Sequence, residues 1–425
     1  MIDIIIIADD FTGAVDTGVQ FASKGIKTLV KTGTDCDFDK LSAKEIQILV
    51  LDTETRHLSA DEAYQIVYKI TKKALEKGVH HVYKKTDSAL RGNIGSELTA
   101  VLDASGCESL PFIPALPCMN RVTRKGVHYI DNKPVANSVF GKDPFEPVTC
   151  SYIPDIIALQ SKVNTKVIEE NVEDDMQSGI IVYDAASEDR LSKIASSLFQ
   201  KNGFPIMAGC SGLASVLPTL LKMKSNKKAV TFSEEGLLVV NGSLNPITAG
   251  QLEYAEKRLN FCRMFLSPEQ KLEFDYWKTQ KGIQDLHVIL EESKKQKYMI
   301  IDVRDKDENR LTNHYAEIKQ MDLDQARKQI TNSVGMLVRY LIKNNLHQVL
   351  MVIGGDTLQS ILKELDVNEM YPVCELLPGT VVSEFVFSNQ RYQLISKSGG
   401  FGDKSLLMDI AKMILGSNGK EKEYG

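Results

Sequence analysis

Apolar residues in this chain come in short unbroken blocks, each ending abruptly in charge. Residues 2–8 are apolar except for Asp3, and the block stops at Asp9-Asp10. A continuous apolar run of this length predicts a parallel strand buried on both faces. Residues 12–22 then follow a helical period, closed by Lys24-Gly25. The unit recurs. Residues 46–51 end in Asp52-Thr53 before a helical stretch at 60–76, and residues 79–83 lead into Lys84-Lys85-Thr86-Asp87 before one at 94–104. Strand, polar loop and helix in alternation predict a doubly wound α/β domain.

Residues 111–154 break this rhythm and hold seven of the thirteen prolines. They read as a long ordered excursion with a small hairpin pairing 127–130 with 134–139, and loops of that length are often functional. Strand and helix patterns resume at 179–183, 189–199, 206–209 and 212–220. The polar, basic stretch 222–228 is the linker candidate. Beyond it, strands are expected at 237–240, 299–303, 349–353 and 392–396, with helices at 248–258 and 323–343. The tail from Gly416 reads as frayed. The expected architecture is two open doubly wound α/β domains, residues 1–222 and 233–415, with an active-site cleft between them.

A chain of 425 residues exceeds one ordinary core, which agrees with two domains. The net charge of −5 speaks against nucleic acid, but local Arg and Lys can still hold a small anion. The first apolar block is too short for a signal peptide, and no stretch reaches the roughly 20 apolar residues of a membrane span, so a cytoplasmic protein is expected. Seven scattered cysteines contain no C-x-x-C pair, which leaves neither a zinc knuckle nor a disulfide framework to propose.

In open α/β sheets ligands bind beyond the carboxyl ends of the strands. In the first half those ends carry Asp9-Asp10, Asp52 with Arg56, and Lys84-Lys85 with Asp87, Ser88 and Arg91. Carboxylates accept sugar hydroxyl hydrogens, and Arg and Lys hold a carboxylate. Any one strand-end Asp can equally cap the next helix, but three successive charged loops describe a site for a small polyhydroxylated anion. In the second half the loops are Asn241-Gly242-Ser243-Leu244-Asn245-Pro246, Gly354-Gly355-Asp356-Thr357 and Lys397-Ser398-Gly399-Gly400-Phe401-Gly402. One such loop is most simply a tight turn, whereas three in one domain favour phosphates cradled by backbone N–H groups. There is no standard P-loop, because Asp403 precedes Lys404 where glycine should stand, and no G-x-G-x-x-G follows the first strand.

Ala8-Asp9-Asp10-Phe11-Thr12-Gly13-Ala14 resembles the opening motif of the four-carbon acid sugar kinases. Lys84-Lys85-Thr86-Asp87-Ser88-Ala89-Leu90-Arg91-Gly92-Asn93 resembles their second motif. Gly126-Val127-His128-Tyr129, Asp143-Pro144, residues 208–214 and the three glycine loops follow in the family's order. Asp356 stands where the family more often has Glu, Ala89 where it has Thr, and Gly400 where it has Asn. The resemblance implies phosphorylation by ATP of the terminal hydroxyl of threonate, erythronate or an oxo-tetronate. The N-terminal domain would bind the acid through Asp9, Asp10, Arg56, Lys85, Thr86, Asp87, Ser88 and Arg91. Arg56 and Lys85, with Arg91 in reserve, would hold the carboxylate, and Asp10 or Asp87 would orient or deprotonate the hydroxyl. Ser243, Gly354, Gly355, Asp356, Thr357, Gly399 and Gly400 would bind ATP. Mg²⁺ is expected with the phosphates; its protein ligands are open, with Asp356 as a candidate. A homodimer is the default assembly. A sugar-acid dehydrogenase, or a non-catalytic sensor of sugar acids, is the alternative reading.

Overall fold

The computed structural model describes residues 2–143, 146–170, 178–223, 226, 230–233, 235–306, 310–346 and 348–415. The chain divides into two compact units, Met1–Lys227 and Lys228–Gly425. Pro144, the tail from Gly416 and most of the 222–228 stretch lie outside the described residues.

The first unit is built on a sheet of eight parallel strands. Their order across the sheet is Thr28–Thr32, Ile48–Asp52, Ile4–Ala8, His81–Lys85, Ile206–Gly209, Ser109–Ile113, Gly179–Tyr183 and Thr165–Ile168. Ile4 to Ile7 are completely buried, as a strand covered on both faces requires. The chain winds outward in both directions from Ile4–Ala8, so this strand is the topological switch point. Register does the rest: Ala8 lies opposite both Asp52 and Lys85, so the loops starting at Asp9, Thr53 and Thr86 emerge side by side.

Two expectations are corrected here. Lys84 and Lys85 end the strand His81–Lys85 rather than opening a loop, and both side chains are buried. The excursion's small sheet pairs Arg121–Arg124 with Val127–Ile130, and only Lys133–Pro134 adds to it; residues 135–137 turn into a 3-10 helix. Pro134 can end such an edge because it donates nothing to the ladder.

The second unit orders its parallel strands Cys262–Phe265, Tyr298–Asp302, Leu237–Asn241, Val349–Ile353 and Gln390–Lys397. Two antiparallel strands, Thr380–Phe387 and Glu369–Leu377, extend it beyond Gln390–Lys397. Ser388 and Asn389, both at positive φ, form the two-residue turn that such a hairpin needs. Asn241 lies opposite Asp302 and Ile353, and Ile353 opposite Lys397, so the loops after these strands share one edge. Helices Pro246–Leu259 and Leu406–Leu415 pack Leu252, Ala255, Leu407 and Ile410 onto the sheet's core.

Candidate functional site

Arg56 organises the first unit's strand-end loops. Its Nε donates to Asp9 Oδ2 at 2.7 Å and its Nη1 to Asp10 Oδ2 at 2.8 Å; Asp87 Oδ1 lies 3.9 Å from Nη2. Arg91 grips Asp87 on both oxygens, at 2.8 and 3.2 Å, and reaches Asp143 at 3.2 Å. Burial opposes charge on Asp9 and Asp87. For Asp9 the charges of Arg56, Lys84 and Lys85 outweigh it, and for Asp87 those of Arg91 and Arg56, so both carboxyls stay below their usual range. Asp10 also caps the helix Phe11–Ala22, its Oδ1 accepting from Gly13 N at 3.0 Å. Capping and site placement are thus two uses of one side chain. With 26% of its side chain exposed, Asp10 is more open than Asp9 or Asp87.

Gly92 lets this cluster close. It sits at φ +85°, and a Cβ there would come within 3.2 Å of Arg56 Cγ. Beside the cluster is a cavity of about 280 Å³ lined by Arg56, Arg91, Gly92, Asn93, Glu146 and Gln160. That is smaller than the roughly 300–1,000 Å³ typical of drug-sized pockets, so it suits a small molecule.

Two features below the cluster escape a reading of the sequence. Lys84 Nζ meets Glu97 Oε2 at 2.9 Å, both fully buried, and also donates to the carbonyls of Ile7 and Lys85. Glu97 accepts from Thr55, whose Oγ1 lies 2.9 Å from that of Thr53, and Thr53 donates to Ala8 O. The pair therefore ties the Arg56 loop to the Asp9-Asp10 loop. A lysine inside an apolar strand block was the signal that could have revealed it. Asp52 is the second feature: it is buried, its Oδ2 has no partner among the described residues, and burial lifts its carboxyl to about 8. It therefore belongs to the site as a neutral acid. Lys85 Nζ donates only to Thr86 O, at 2.7 Å, among the described residues. Ser88 receives a hydrogen bond from Arg121, and Thr86 Oγ1 is buried without a partner among the described residues.

In the second unit the three glycine loops meet. Gly242 lies so close to the Thr357 side chain that a Cβ would stand 1.8 Å from its Oγ1, and one on Gly399 would stand 2.3 Å from Ser243 Oγ. Gly354 adopts φ +114°, open to glycine and strained for other residues. Asn241 fixes the first loop, donating to Ser243 O and Asp302 while accepting from Ser243 N. Thr248 donates to Gly399 O at 2.6 Å, and Gln251 to the carbonyls of Phe401, Gly402 and Asp403. Burial lowers Lys397, at the root of the third loop, to about 8. Gly355, Asp356 and Thr357 open the helix Gly355–Glu364, whose N-terminus faces the shared edge. Asp356 is exposed and lies 3.3 Å from Arg327. Gly400 meets only Asn245 within 4 Å of its would-be Cβ.

Among the described residues no helix is long and apolar enough to cross a membrane. Residues 4–217 match the family model described as a sugar-binding N-terminal domain, and residues 238–407 match that of a nucleotide-binding C-terminal domain. The chain is 29% identical to the D-threonate kinase of Salmonella typhimurium, across 95% of this chain and 96% of that one. It is 24% identical to the 3-oxo-tetronate kinase of Haemophilus influenzae, across 96% and 99%. A solved structure from Salmonella typhimurium LT2, described as a tRNA synthase, has a TM-score of 0.81 at 21% identity, covering 97% of this chain and 100% of that one. At that identity the likeness shows the fold alone and carries no activity across. With both halves matched in order, the chain belongs to the four-carbon acid sugar kinase family.

Proposed function

We propose that this protein transfers the γ-phosphoryl group of ATP to the terminal hydroxyl of a four-carbon acid sugar: threonate, erythronate or an oxo-tetronate. The N-terminal domain, residues 1–222 within the first unit, holds the acid, and the C-terminal domain, residues 233–415 within the second, holds ATP. The observation that carries the proposal is the carboxylate–guanidinium cluster at the carboxyl edge of the first sheet, with Asp10 its most open acid. Kinship with enzymes named for D-threonate and 3-oxo-tetronate supports it.

In the reaction the acceptor hydroxyl oxygen attacks the γ-phosphorus, and the bond from that phosphorus to the bridging oxygen breaks to release ADP. The hydroxyl proton passes to Asp10. Asp87, held on both oxygens by Arg91, is the poorer base and binds hydroxyls. A weak base suffices, because phosphoryl transfer depends on positioning and charge stabilisation. Of the cations named for the carboxylate, Arg56 and Arg91 already carry acidic partners, which leaves Lys85 to take it, with Thr86 and Ser88 alongside. Asp9 holds Arg56 in place. Ser243, Gly354 to Thr357, Gly399 and Gly400 cradle the phosphates, where close backbone approach needs the missing Cβ atoms.

The described residues contain no group of three or more acidic, His or Cys side chains able to hold a metal. Mg²⁺ needs only one or two carboxylates when phosphate and water complete its shell, so it fits here as a companion of ATP. Asp356 is the candidate carboxylate, and the ion's contribution would be to neutralise phosphate charge. The proposal places the activity in the cytoplasm, where ATP is available.

A coupled ADP-release assay with ATP, Mg²⁺ and a panel of threonates, erythronates and oxo-tetronates tests the activity. Release with one acid far above the rest is expected, and no release with any of them refutes the acceptor class. Asp10→Asn is expected to lower kcat by about a thousandfold or more while circular dichroism stays unchanged; near-normal turnover would remove Asp10 from the mechanism.

A further inference from the structure

Arg121 lies in the 111–154 excursion, outside the strand-end loops to which the sequence assigns the acid and ATP. It opens the strand Arg121–Arg124 of the excursion's small sheet, yet its Nη1 donates to Ser88 Oγ, in the middle of the second motif. Its guanidinium lies over the Phe140 ring, 5.2 Å from the centroid. The same ring carries the Arg91 guanidinium, 5.1 Å from the centroid. Two guanidinium groups sharing one aromatic ring repel each other unless anions compensate them.

The charges around this point can be paired off. Arg56 takes Asp9 and Asp10, Arg91 takes Asp87 and Asp143, and Lys84 takes Glu97. Two cations have no carboxylate within ion-pair distance among the described residues, although Lys85 acts electrostatically on Asp9 and Arg121 on Asp87. Lys85 bonds only the Thr86 carbonyl, and Arg121 only the Ser88 hydroxyl. Ser88, the partner of Arg121, follows Lys85 by three residues in the same strand-end segment. The five carboxylates and the five cations balance overall, so the lysine and the arginine are not surplus charge; each lacks a direct ion pair among the described residues and so keeps N–H donors for an incoming anion.

Arg121 is also held ready for it. The hairpin that carries it is pinned at its turn and at the adjoining Thr123–His128 pair. The Asp184 carboxylate accepts from the Lys125 and Gly126 amides at its turn. His128, buried and pushed down to about 4, bridges Ser88 O at 2.9 Å and Thr123 Oγ1 at 3.2 Å. With Nη1 spent on Ser88 and the group packed near the Phe140 ring, the Nε and Nη2 donors remain, a pair whose spacing matches a carboxylate.

We infer that Arg121, together with Lys85, holds the carboxylate of the acid sugar, making the proline-rich excursion the element that selects acids over neutral sugars. The inference rests on the kinase reading and names the anchor within its substrate site. It also gives Arg56 and Arg91 the work of positioning Asp9, Asp10 and Asp87.

The test is steady-state kinetics on the whole protein with Arg121→Gln and Arg121→Lys, using whichever four-carbon acid the wild type turns over. Losing one partner of a charge-assisted pair should raise the KM for the acid by about 30-fold or more. The KM for ATP and the Tm should stay near wild type, with kcat changed by only a few-fold. Arg121→Lys keeps the charge and should recover a large part of the loss, and it also serves if the Gln variant folds poorly. An unchanged acid KM in Arg121→Gln overturns the inference. So does a parallel loss in acid KM, ATP KM and Tm with no recovery by Lys, which would make Arg121 structural. A wild type that phosphorylates none of the acids would instead sink the kinase reading itself.

Discussion

Asp52→Asn turns the buried neutral acid into a measurable quantity. Asp52 is fully buried; one oxygen accepts from Glu54 N at 3.1 Å and the other has no partner among the described residues. Burial, with the nearby charges of Asp10, Glu54 and Asp9, lifts its carboxyl from 3.8 to about 8. Below about pH 4 the group is protonated in both the folded and unfolded chains, and it contributes no pH dependence. Between about 4 and 8 the unfolded chain loses this proton while the folded chain keeps it, so stability falls by about 1.4 kcal/mol per pH unit. Above 8 both states are ionised and the loss is complete. From pH 5 to pH 8 the wild type should therefore lose about 3.5 kcal/mol at this site. Asn has nearly the same shape and cannot ionise, so the variant should escape that loss. The assay is urea unfolding followed by circular dichroism at both pH values. The two units need not unfold together, so the comparison is made on the transition that the substitution displaces. The variant's advantage over wild type should grow by about 3.5 kcal/mol between pH 5 and pH 8. Growth below about 1 kcal/mol would show that Asp52 is ionised in the folded protein and refute the reasoning.

Glu97→Gln should destabilise the first unit by roughly 3–5 kcal/mol, because it strands the Lys84 charge in the core. A shift in the urea midpoint worth less than 1 kcal/mol would show the pair to be dispensable. Gly242→Ala would put a methyl group 1.8 Å from Thr357 Oγ1 and force the first and second nucleotide loops apart. The KM for ATP should rise by about tenfold or more, while calorimetric binding of the acid, assigned to the other unit, stays unchanged. Gly250→Ala serves as the control: it sits in the helix Pro246–Leu259 with nothing within 4 Å of its would-be Cβ. It should leave the KM alone and add about 0.5–1 kcal/mol of stability.

Much of the core was legible in the chain itself, because burial on both faces of a parallel strand leaves a continuous apolar block. Residues 179–183, 206–209 and 349–353 emerge with the bounds their blocks predict, and so do the helices 60–76 and 323–343. The hairpin over 369–397 was only partly legible: its last strand was expected, but Pro372, Glu375 and Glu384 blur the alternation of the other two, which only pairing with a neighbour stabilises. The charged loops could be recognised because parallel strands place their carboxyl ends on one edge whatever lies between them. Pairing could not be recognised. Which carboxylate each arginine takes depends on register across Ala8, Asp52 and Lys85, and on distances under 4 Å that local sequence does not encode. The charge state of Asp52 depends on its desolvation, a property of everything packed around it. Arg121 sits 33 residues from its partner Ser88, and only the folding of the excursion back over the sheet brings that cation to the site. The residue types and their order thus set the kind of chemistry, while tertiary packing decided which charges are spent on one another and which remain for a ligand.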